Sequence, residues 1–378
     1  MVSSGLQHNH RITKSRTTRK LSNVNQPSRT RASASQGHSD SRLGVIVRLL
    51  MENATVLVSG TKLAAEISSN RSEVWRLIQQ LRGLGVDVTG HPATGYQLRT
   101  MPDLLLPGVV KPLLRGTIFA EHIRHFYKIE STNAEAMQAA AEGDPEGSVF
   151  LAEEQTAGRG RGANTWHSQR STGIYCSVIL RPALPPAEIL VLSLAVGLAV
   201  QAAMEEIDPR LSSSLDLKWP NDVLIGGKKV CGVLAEMNAE PTRVRYIVVG
   251  IGINVNQTAF PAELEPLATS LRLASGSDWS RVELTAALLK SLHREYAALI
   301  AQSGAHDSIL ERFAKNSSWV RGKEVRIEEN GVPLEGITEG LDERGFLRVR
   351  TTGGIQTVLS GTVRERKQLA SAVSIQPA

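Results

Sequence analysis

Apolar residues recur at helical spacing three times before residue 85 and then give way to a turn-rich stretch. Val45, Ile46, Leu49 and Leu50 mark one helical face, Leu63, Ala64 and Ile67 a second, and Val74, Leu77, Ile78, Leu81 and Leu84 a third. Ser59-Gly60-Thr61 can cap the second helix, and Asn70 followed by Glu73 predicts a capping box at the third. Gly85-Val86-Asp87-Val88 and Gly95-Tyr96-Gln97-Leu98 flank a Gly/Pro turn and read as a two-stranded wing. Residues 43–100 are therefore predicted as helix, helix, helix, hairpin, a winged helix-turn-helix. The apolar face of the third helix must point inward. Asn70, Arg71, Ser72, Trp75, Arg76, Gln79 and Gln80 remain near its start and outer flank, where a recognition helix meets phosphates and base edges. Gly60, Thr61, Asn70, Arg71, Ser72, Trp75 and Arg76 are the candidate DNA-binding residues. A small helical interaction module with a merely solvated polar face is the plain alternative.

From about residue 115 to 315, strand-like apolar runs alternate with two long helical patterns, at 186–206 and 281–301, which predicts an α+β domain around one mixed sheet. Runs at 126–129, 148–152, 175–178, 215–218, 228–236 and 248–256 are the candidate strands. Beyond residue 318, short strands at regular spacing with turn residues between them predict a small barrel. The expected division is 1–42 disordered basic tail, 43–100 winged helix, 110–317 catalytic domain, 318–366 barrel and 367–378 tail.

Charge matters only once it is divided along the chain. The formal balance is +6, but eight of the 43 Lys/Arg and one of the 37 Asp/Glu fall within residues 1–42, leaving 35 basic against 36 acidic residues. The basicity belongs to a Ser/Thr/Asn/Gln-rich tail too poor in large apolar residues to fold alone. It reads as a disordered extension, or as an arm adding sequence-independent phosphate contacts beside the DNA-binding module. The sequence shows no apolar run near 18 residues and no signal-peptide core, so a cytoplasmic protein with no membrane contact is expected. Its two cysteines, Cys176 and Cys231, sit in apolar strand-like runs, which fits buried thiols in a reducing compartment.

The candidate chemistry lies at strand ends. Gly158-Arg159-Gly160-Arg161-Gly162-Ala163-Asn164-Thr165-Trp166 leaves a predicted buried strand. It combines glycines that admit close backbone approach with two guanidinium forks suited to carboxylate or phosphate. Gly158, Gly160 and Ala163 also fit a dinucleotide fingerprint, but no helical pattern opens behind them, which the fingerprint needs. In Lys218-Trp219-Pro220-Asn221-Asp222 a strand ends at a proline. A lysine, an amide and a carboxylate there suit a nucleotide: Lys218 to neutralise charge at an α-phosphate, Asp222 to hold magnesium or orient an amine. Glu130-Ser131-Thr132-Asn133 precedes a helix its hydroxyls could simply cap, Lys229 starts an otherwise buried strand, and Gly250 to Asn254 form a glycine-bearing strand that a flat ligand or a second backbone could approach.

The arginine loop and the Lys218–Asp222 segment resemble the biotin protein ligase family, whose usual loop runs Gly-Arg-Gly-Arg-Arg-Gly-x-x-Trp; Gly162 and Ala163 depart from it. Asn70-Arg71-Ser72 with Leu81–Val88 and Gly95-Tyr96 resembles the winged helix of the bifunctional members that repress their own biosynthetic genes. The resemblance covers about residues 43–366. It implies a catalytic domain related to class II synthetase-like biotin/lipoate ligases and an SH3-like β-barrel after it. It also implies a biotin set of Ser131, Thr132, Asn133, Gln155, Arg159, Gly160, Arg161, Lys229, Gly232 and Gly250. The nucleotide set is Gly158, Trp166, Lys218, Asn221 and Asn254, and the catalytic group Arg161, Lys218, Asp222 and Lys229. ATP and Mg2+ would be used, with biotin as substrate. The partners would be a biotin carboxyl carrier protein such as that of acetyl-CoA carboxylase, operator DNA, and a second copy of the chain when the adenylate is bound. A lipoate ligase, a non-catalytic biotin-sensing regulator and a ligase whose winged helix only docks proteins are the competing readings.

Overall fold

The computed structural model describes residues 42–366 except 101, 102, 163, 330 and 331. The expected tails, 1–41 and 367–378, and the loop residue Ala163 lie outside the described residues. Helix α1 spans residues 42–52, followed by α2 (Gly60–Glu66), α3 (Arg71–Gly83), and the wing strands β1 (Val88–His91) and β2 (Gly95–Leu98). Ser59 caps α2 by accepting from the Lys62 N–H, and Asn70 caps α3 by accepting from the Glu73 N–H. The other half of the expected capping box is missing. The Glu73 carboxylate turns outward to Arg76 at 2.8 Å, because a guanidinium one turn on is a stronger partner than a backbone N–H. Val74, Leu77, Ile78 and Leu81 are wholly buried, each worth roughly 1.5–3 kcal/mol against exposure. The first wing strand starts three residues later than its sequence suggests, since Gly85 has φ +85° and ends the helix with a turn.

A strap follows. Leu104 and Leu106 enter the core of the winged helix, while Leu105 between them enters the core of the next domain. Then come α4 (Pro107–Val110), a 3-10 turn over Lys111–Leu114, β3 (Ile123–Phe126), α5 (Thr132–Glu142), β4 (Val149–Ala152) and β5 (Gly173–Leu180). The long α6 (Ile189–Ile207) precedes β6 (Leu215–Lys218), β7 (Asp222–Ile225), β8 (Lys228–Glu240), β9 (Arg243–Asn254), α7 (Leu271–Ser275), α8 (Arg281–Ala301) and α9 (Ala305–Lys315). The expected strand at 126–129 lies instead at 123–126: Ile123 to Phe126 pair in parallel with Val149 to Ala152, and the chain leaves the sheet before α5.

The central sheet runs β3-β4-β5-β9-β8-β7-β6, with β3 and β4 parallel and every other pair antiparallel. Period-two alternation sorts its side chains. Val149, Leu151, Val249 and Ile251 join the large core beneath α6 and α8, while Phe150 and Val248 meet Ala136, Ala139 and Ala140 of α5. Because both faces are covered, these strands are apolar throughout rather than alternating. Within Pro186–Ile207 an 18-residue stretch of mean hydropathy 1.9 is long and apolar enough to cross a membrane, contrary to the reading of the sequence; 78% of that stretch is buried inside the protein. A helix that is apolar all round is a core helix when other elements enclose it. Cys176 and Cys231 are buried free thiols.

The last unit contains β10 (Arg321–Glu329), β11 (Val332–Leu341), β12 (Leu347–Thr351), β13 (Gly354–Val358) and β14 (Thr362–Glu365), all antiparallel in the order β13-β12-β11-β10-β14. Trp219, at the β6–β7 turn, fastens it by donating its indole N–H to the Gly345 carbonyl at 2.9 Å.

One buried ion cluster joins these parts. Arg281, at the start of α8, donates to Glu153 Oε2 at 2.8 Å, to Asp103 Oδ2 at 3.1 Å and to the Asp103 carbonyl. Glu153, just past β4, also accepts from the Leu105 N–H at 2.9 Å and from Ser171 Oγ at 3.1 Å, and it meets His125 Nε2 at 3.1 Å. Burial alone would raise the pKa of Glu153, but the Arg281 charge, His125 and the Leu105 N–H outweigh it and hold the pKa at about 2. Folding depresses this pKa, so its stabilisation is complete above the ordinary value of 4.5 and is lost as pH falls through about 2. Urea titrations at a series of pH values should therefore show stability falling across that window, with the fall flattened in Glu153→Gln. At neutral pH the variant should be about 3 kcal/mol less stable, because Arg281 then lacks a buried counterion.

Candidate active site

The strand ends of the central sheet and the β14 side of the last unit enclose a cleft of about 590 Å³. Ser131, Thr132, Asn133, Gln155, Arg159, Gly160, Arg161, Trp166, Lys218, Asn221, Asp222, Lys229, Gly232 and Gly250 all line it, so most of the residues singled out in the sequence meet in one place. Gly158 lies beside it, in a second hollow under the arginine loop.

One wall is polar. Ser131 caps α5 through the Ala134 N–H, so the capping role is real, and it still faces the cleft. Thr132 gives its N–H to Gln155 Oε1 at 2.9 Å and its hydroxyl lies 3.1 Å from the same oxygen, and Gln155 Nε2 donates to Ser168 Oγ at 2.9 Å. Ser177, wholly buried in β5, lies 2.6 Å from Asn133 Oδ1 and 2.8 Å from Thr132 Oγ1. The backbone of β9 comes close here: a Cβ on Gly250 would sit 2.1 Å from Asn133 Oδ1.

The arginine loop folds back on itself. Gly160 N–H donates to Asn164 O at 2.8 Å, Trp166 N–H to Gly158 O at 2.9 Å, and Asn164 Nδ2 to Arg161 O at 2.8 Å. The Trp166 indole then lies across Gly232 and Gly252 of the paired strands β8 and β9, where a Cβ would come within 3.0 and 2.5 Å of the ring. Two side-chain-free positions facing each other make the slot that accepts it. The buried indole N–H has no protein partner among the described residues and lies over Gly252.

The opposite corner is cationic. Lys229 Nζ is 2.7 Å from Asp222 Oδ1 and 5.4 Å from the Trp166 ring centre. Lys218 Nζ lies 4.3 Å from the centre of the Trp319 ring, which Lys323 also approaches at 5.0 Å. Burial lowers the Lys218 pKa, Asp222 opposes that, and Lys229, Arg364 and Lys323 reinforce it. A desolvated ammonium among like charges is a site prepared for an anion. Among the described residues, no group of three or more His, Cys, Asp or Glu could hold a metal ion.

Three expected residues stand differently. Asn254 shares the face of Gly250 and Gly252 but sits at the end of β9, buried outside the cleft lining, donating to Thr269 O at 3.1 Å with Gln257 on its oxygen. Asn221 borders the cleft but gives its amide to Val233 O at 2.6 Å, which ties β7 to β8. Gly60 is buried against Tyr96, whereas Thr61, Asn70, Arg71, Ser72, Trp75 and Arg76 are exposed. Of these, Arg71 is held by the Pro92 carbonyl and Arg76 by Glu73.

Sequence reasoning missed Ser177, Gly252, Glu236, Trp319 and the 360–363 segment. A lone serine inside the apolar run of β5 was a usable signal, since a buried hydroxyl needs a partner. Gly252 stood in the glycine strand already noted. Nothing local marked Trp319, which lies against Lys218, or residues 360–363, which reach the cleft only through the packing of the last unit.

Residues 126–254 match the biotin/lipoate A/B protein ligase family, residues 321–364 the biotin protein ligase C terminal domain, and residues 42–97 an HTH domain. Fold and cleft thus define a protein ligase of the biotin and lipoate class joined to a helix-turn-helix domain. The bifunctional ligase/repressor BirA of Bacillus spizizenii is 34% identical over 321 residues, covering 84% of this chain and 97% of that protein. The biotin–[acetyl-CoA-carboxylase] ligase of Mycobacterium tuberculosis is 36% identical over 236 residues, 62% of this chain and 85% of that one. The solved biotin protein ligase from Aquifex aeolicus in complex with biotin and ATP superposes with a TM-score of 0.56 at 32% identity, over 65% of this chain and 99% of that one. The chain belongs to the biotin protein ligase family, in its bifunctional ligase/repressor branch.

The closeness of Gly250 to Asn133 is directly testable. Gly250→Ala should cost about 1–3 kcal/mol in urea unfolding by overpacking, and Asn133→Ala in the same chain should recover most of it. Strictly additive costs would locate the strain elsewhere.

Proposed function

We propose that the chain is an ATP-dependent biotin protein ligase that forms biotinyl-5′-AMP and transfers biotin to a lysine of a biotin carboxyl carrier protein, such as that of acetyl-CoA carboxylase, and that it also acts as a biotin-responsive repressor. The observation that carries the ligase reading is the single cleft joining a polar wall, an arginine loop and a lysine corner. The wall of Ser131, Thr132, Asn133 and Gln155 suits a ureido ring. Arg159, Arg161 and Lys229 suit a carboxylate, and Lys218 suits a phosphate. In the first half-reaction a biotin carboxylate oxygen attacks the α-phosphorus and pyrophosphate leaves. Lys218 neutralises the charge that builds at that phosphorus, while Arg161 and Lys229 steady the carboxylate. In the second, the carrier lysine attacks the acyl carbon and AMP leaves, with Asp222 placed to take the amine proton. Magnesium would arrive on the nucleotide and offset phosphate charge; Asp222 is the carboxylate at that corner, and its tie to Lys229 makes it a shared rather than a dedicated ligand. The central sheet is then the family's class II synthetase-like scaffold and the last five strands its SH3-like barrel. A lipoate ligase would leave the polar wall without partners, since a dithiolane carries no hydrogen-bonding groups.

Mass spectrometry after incubation with ATP, biotin and a carrier domain should show a biotin adduct, and none with lipoate. Lys218→Ala should slow adenylation about a hundredfold, the usual loss for one such donor, while biotin affinity changes much less. A lipoate adduct, or biotin binding lost in parallel with turnover, would overturn these assignments.

The repressor half rests on the winged helix and its exposed Thr61, Arg71, Ser72 and Trp75. Bound adenylate would order the arginine loop and favour a homodimer, so that two winged helices meet two half-sites of operator DNA. Gel-shift titrations on the gene's upstream DNA should show tighter binding with biotin and ATP, weakened by salt. Equal affinity with and without them would eliminate the sensor.

A further inference from the structure

The polar wall of the cleft continues beyond the groups that the proposed reaction uses. Ser168 holds Gln155, Gln155 holds Thr132, and Thr132 meets Ser177; Ser177 meets Asn133, and Asn133 Nδ2 donates to Glu236 Oε2 at 2.8 Å. Glu236 Oε1 lies 4.0 Å from Arg159 Nη1. Ser168 follows the arginine loop and Arg159 opens it, so the chain of contacts starts and ends at that loop.

Asn133 is the member whose direction needs fixing. A primary amide can be turned end for end, and Ser177 alone does not choose: its one hydrogen goes to Asn133 Oδ1 when the Thr132 hydroxyl donates to Ser177, and to Thr132 Oγ1 when Asn133 presents its NH2 instead. The Glu236 carboxylate only accepts, so it holds the NH2 end. The second amide hydrogen leans on Leu234 O at 3.4 Å, and Ser177 occupies one side of Oδ1. What remains for a ligand is the second lone pair of Oδ1, an acceptor. Were the amide reversed, the NH2 group would face Ser177 and the cleft, and the carbonyl would face a carboxylate.

We infer that Glu236 is a positioning residue: it fixes the Asn133 amide so that the cleft presents an acceptor to a ligand N–H, as a ureido ring provides. The inference rests on the biotin ligase reading. It assigns to Glu236 the polarity of the pocket rather than contact with the substrate.

The test uses the full chain and separates polarity from packing. Glu236→Leu should raise KM for biotin about tenfold, the usual consequence of losing one charge-assisted hydrogen bond. KM for ATP and the unfolding midpoint should hardly move. Glu236→Gln, which keeps an oxygen to accept from Asn133 Nδ2, should recover most of the loss. In an Asn133→Ala chain, Glu236→Leu should add nothing further. The inference is overturned if Gln is as poor as Leu, if the full effect survives in the Asn133→Ala chain, or if KM for ATP and the unfolding midpoint shift in step with biotin. A wild-type chain that forms no biotin adduct at all would instead remove the ligase reading, and the inference with it.

Discussion

Arg281 and Glu153 form the contact on which the arrangement of this protein depends. Two opposite charges taken fully out of water are costly unless every donor and acceptor finds a partner. Here the partners are drawn from everywhere at once: Asp103 and Leu105 of the strap, His125 of β3, and Ser171 and Gly173 on the way into β5. Satisfying one ion pair therefore sets the angle at which the strap leaves the catalytic core. The same strap carries Leu104 and Leu106 into the winged helix. Two residues past Glu153, Gln155 braces the polar wall of the cleft. The ligand wall and the root of the DNA-binding module are in this way built from one short segment.

The cleft itself is made by missing side chains. Gly232 and Gly252 stand opposite one another on β8 and β9, and the space their side chains would fill holds the Trp166 indole. Gly250 makes the same room for Asn133. The arginine loop can close only because the sheet beneath it is locally bare, and closure brings Arg159 within reach of Glu236.

The last unit completes the electrostatics. Trp319 supplies an aromatic face to Lys218 and Lys323, and residues 360–363 border the cleft. The attachment of that unit through Trp219 to the turn bearing Lys218, Asn221 and Asp222 keeps the cationic corner and its cover in fixed relation. Lys218 is consequently a half-buried cation among other cations, an arrangement that an incoming phosphate would relieve.

Much of this was written in the chain. Helical periodicity fixed α3 and its buried face, Ser59 and Asn70 fixed two helix starts, and the glycine-arginine loop with Lys218, Asp222 and Lys229 marked the chemistry, because each is a local consequence of residue type and spacing. What the sequence could not decide were choices between partners distant along the chain. Glu73 preferred Arg76 to its own cap, Asn254 was taken up by the Thr269 carbonyl rather than the cleft, and the apolar stretch 186–207 became a core helix only because two other helices and a sheet enclose it. Glu153, Arg281, Ser177, Glu236 and Trp319 belong to the same group. Each is an ordinary polar or aromatic residue whose role arises from what tertiary packing places within 3 or 4 Å of it, and no pattern along one dimension carries that distance.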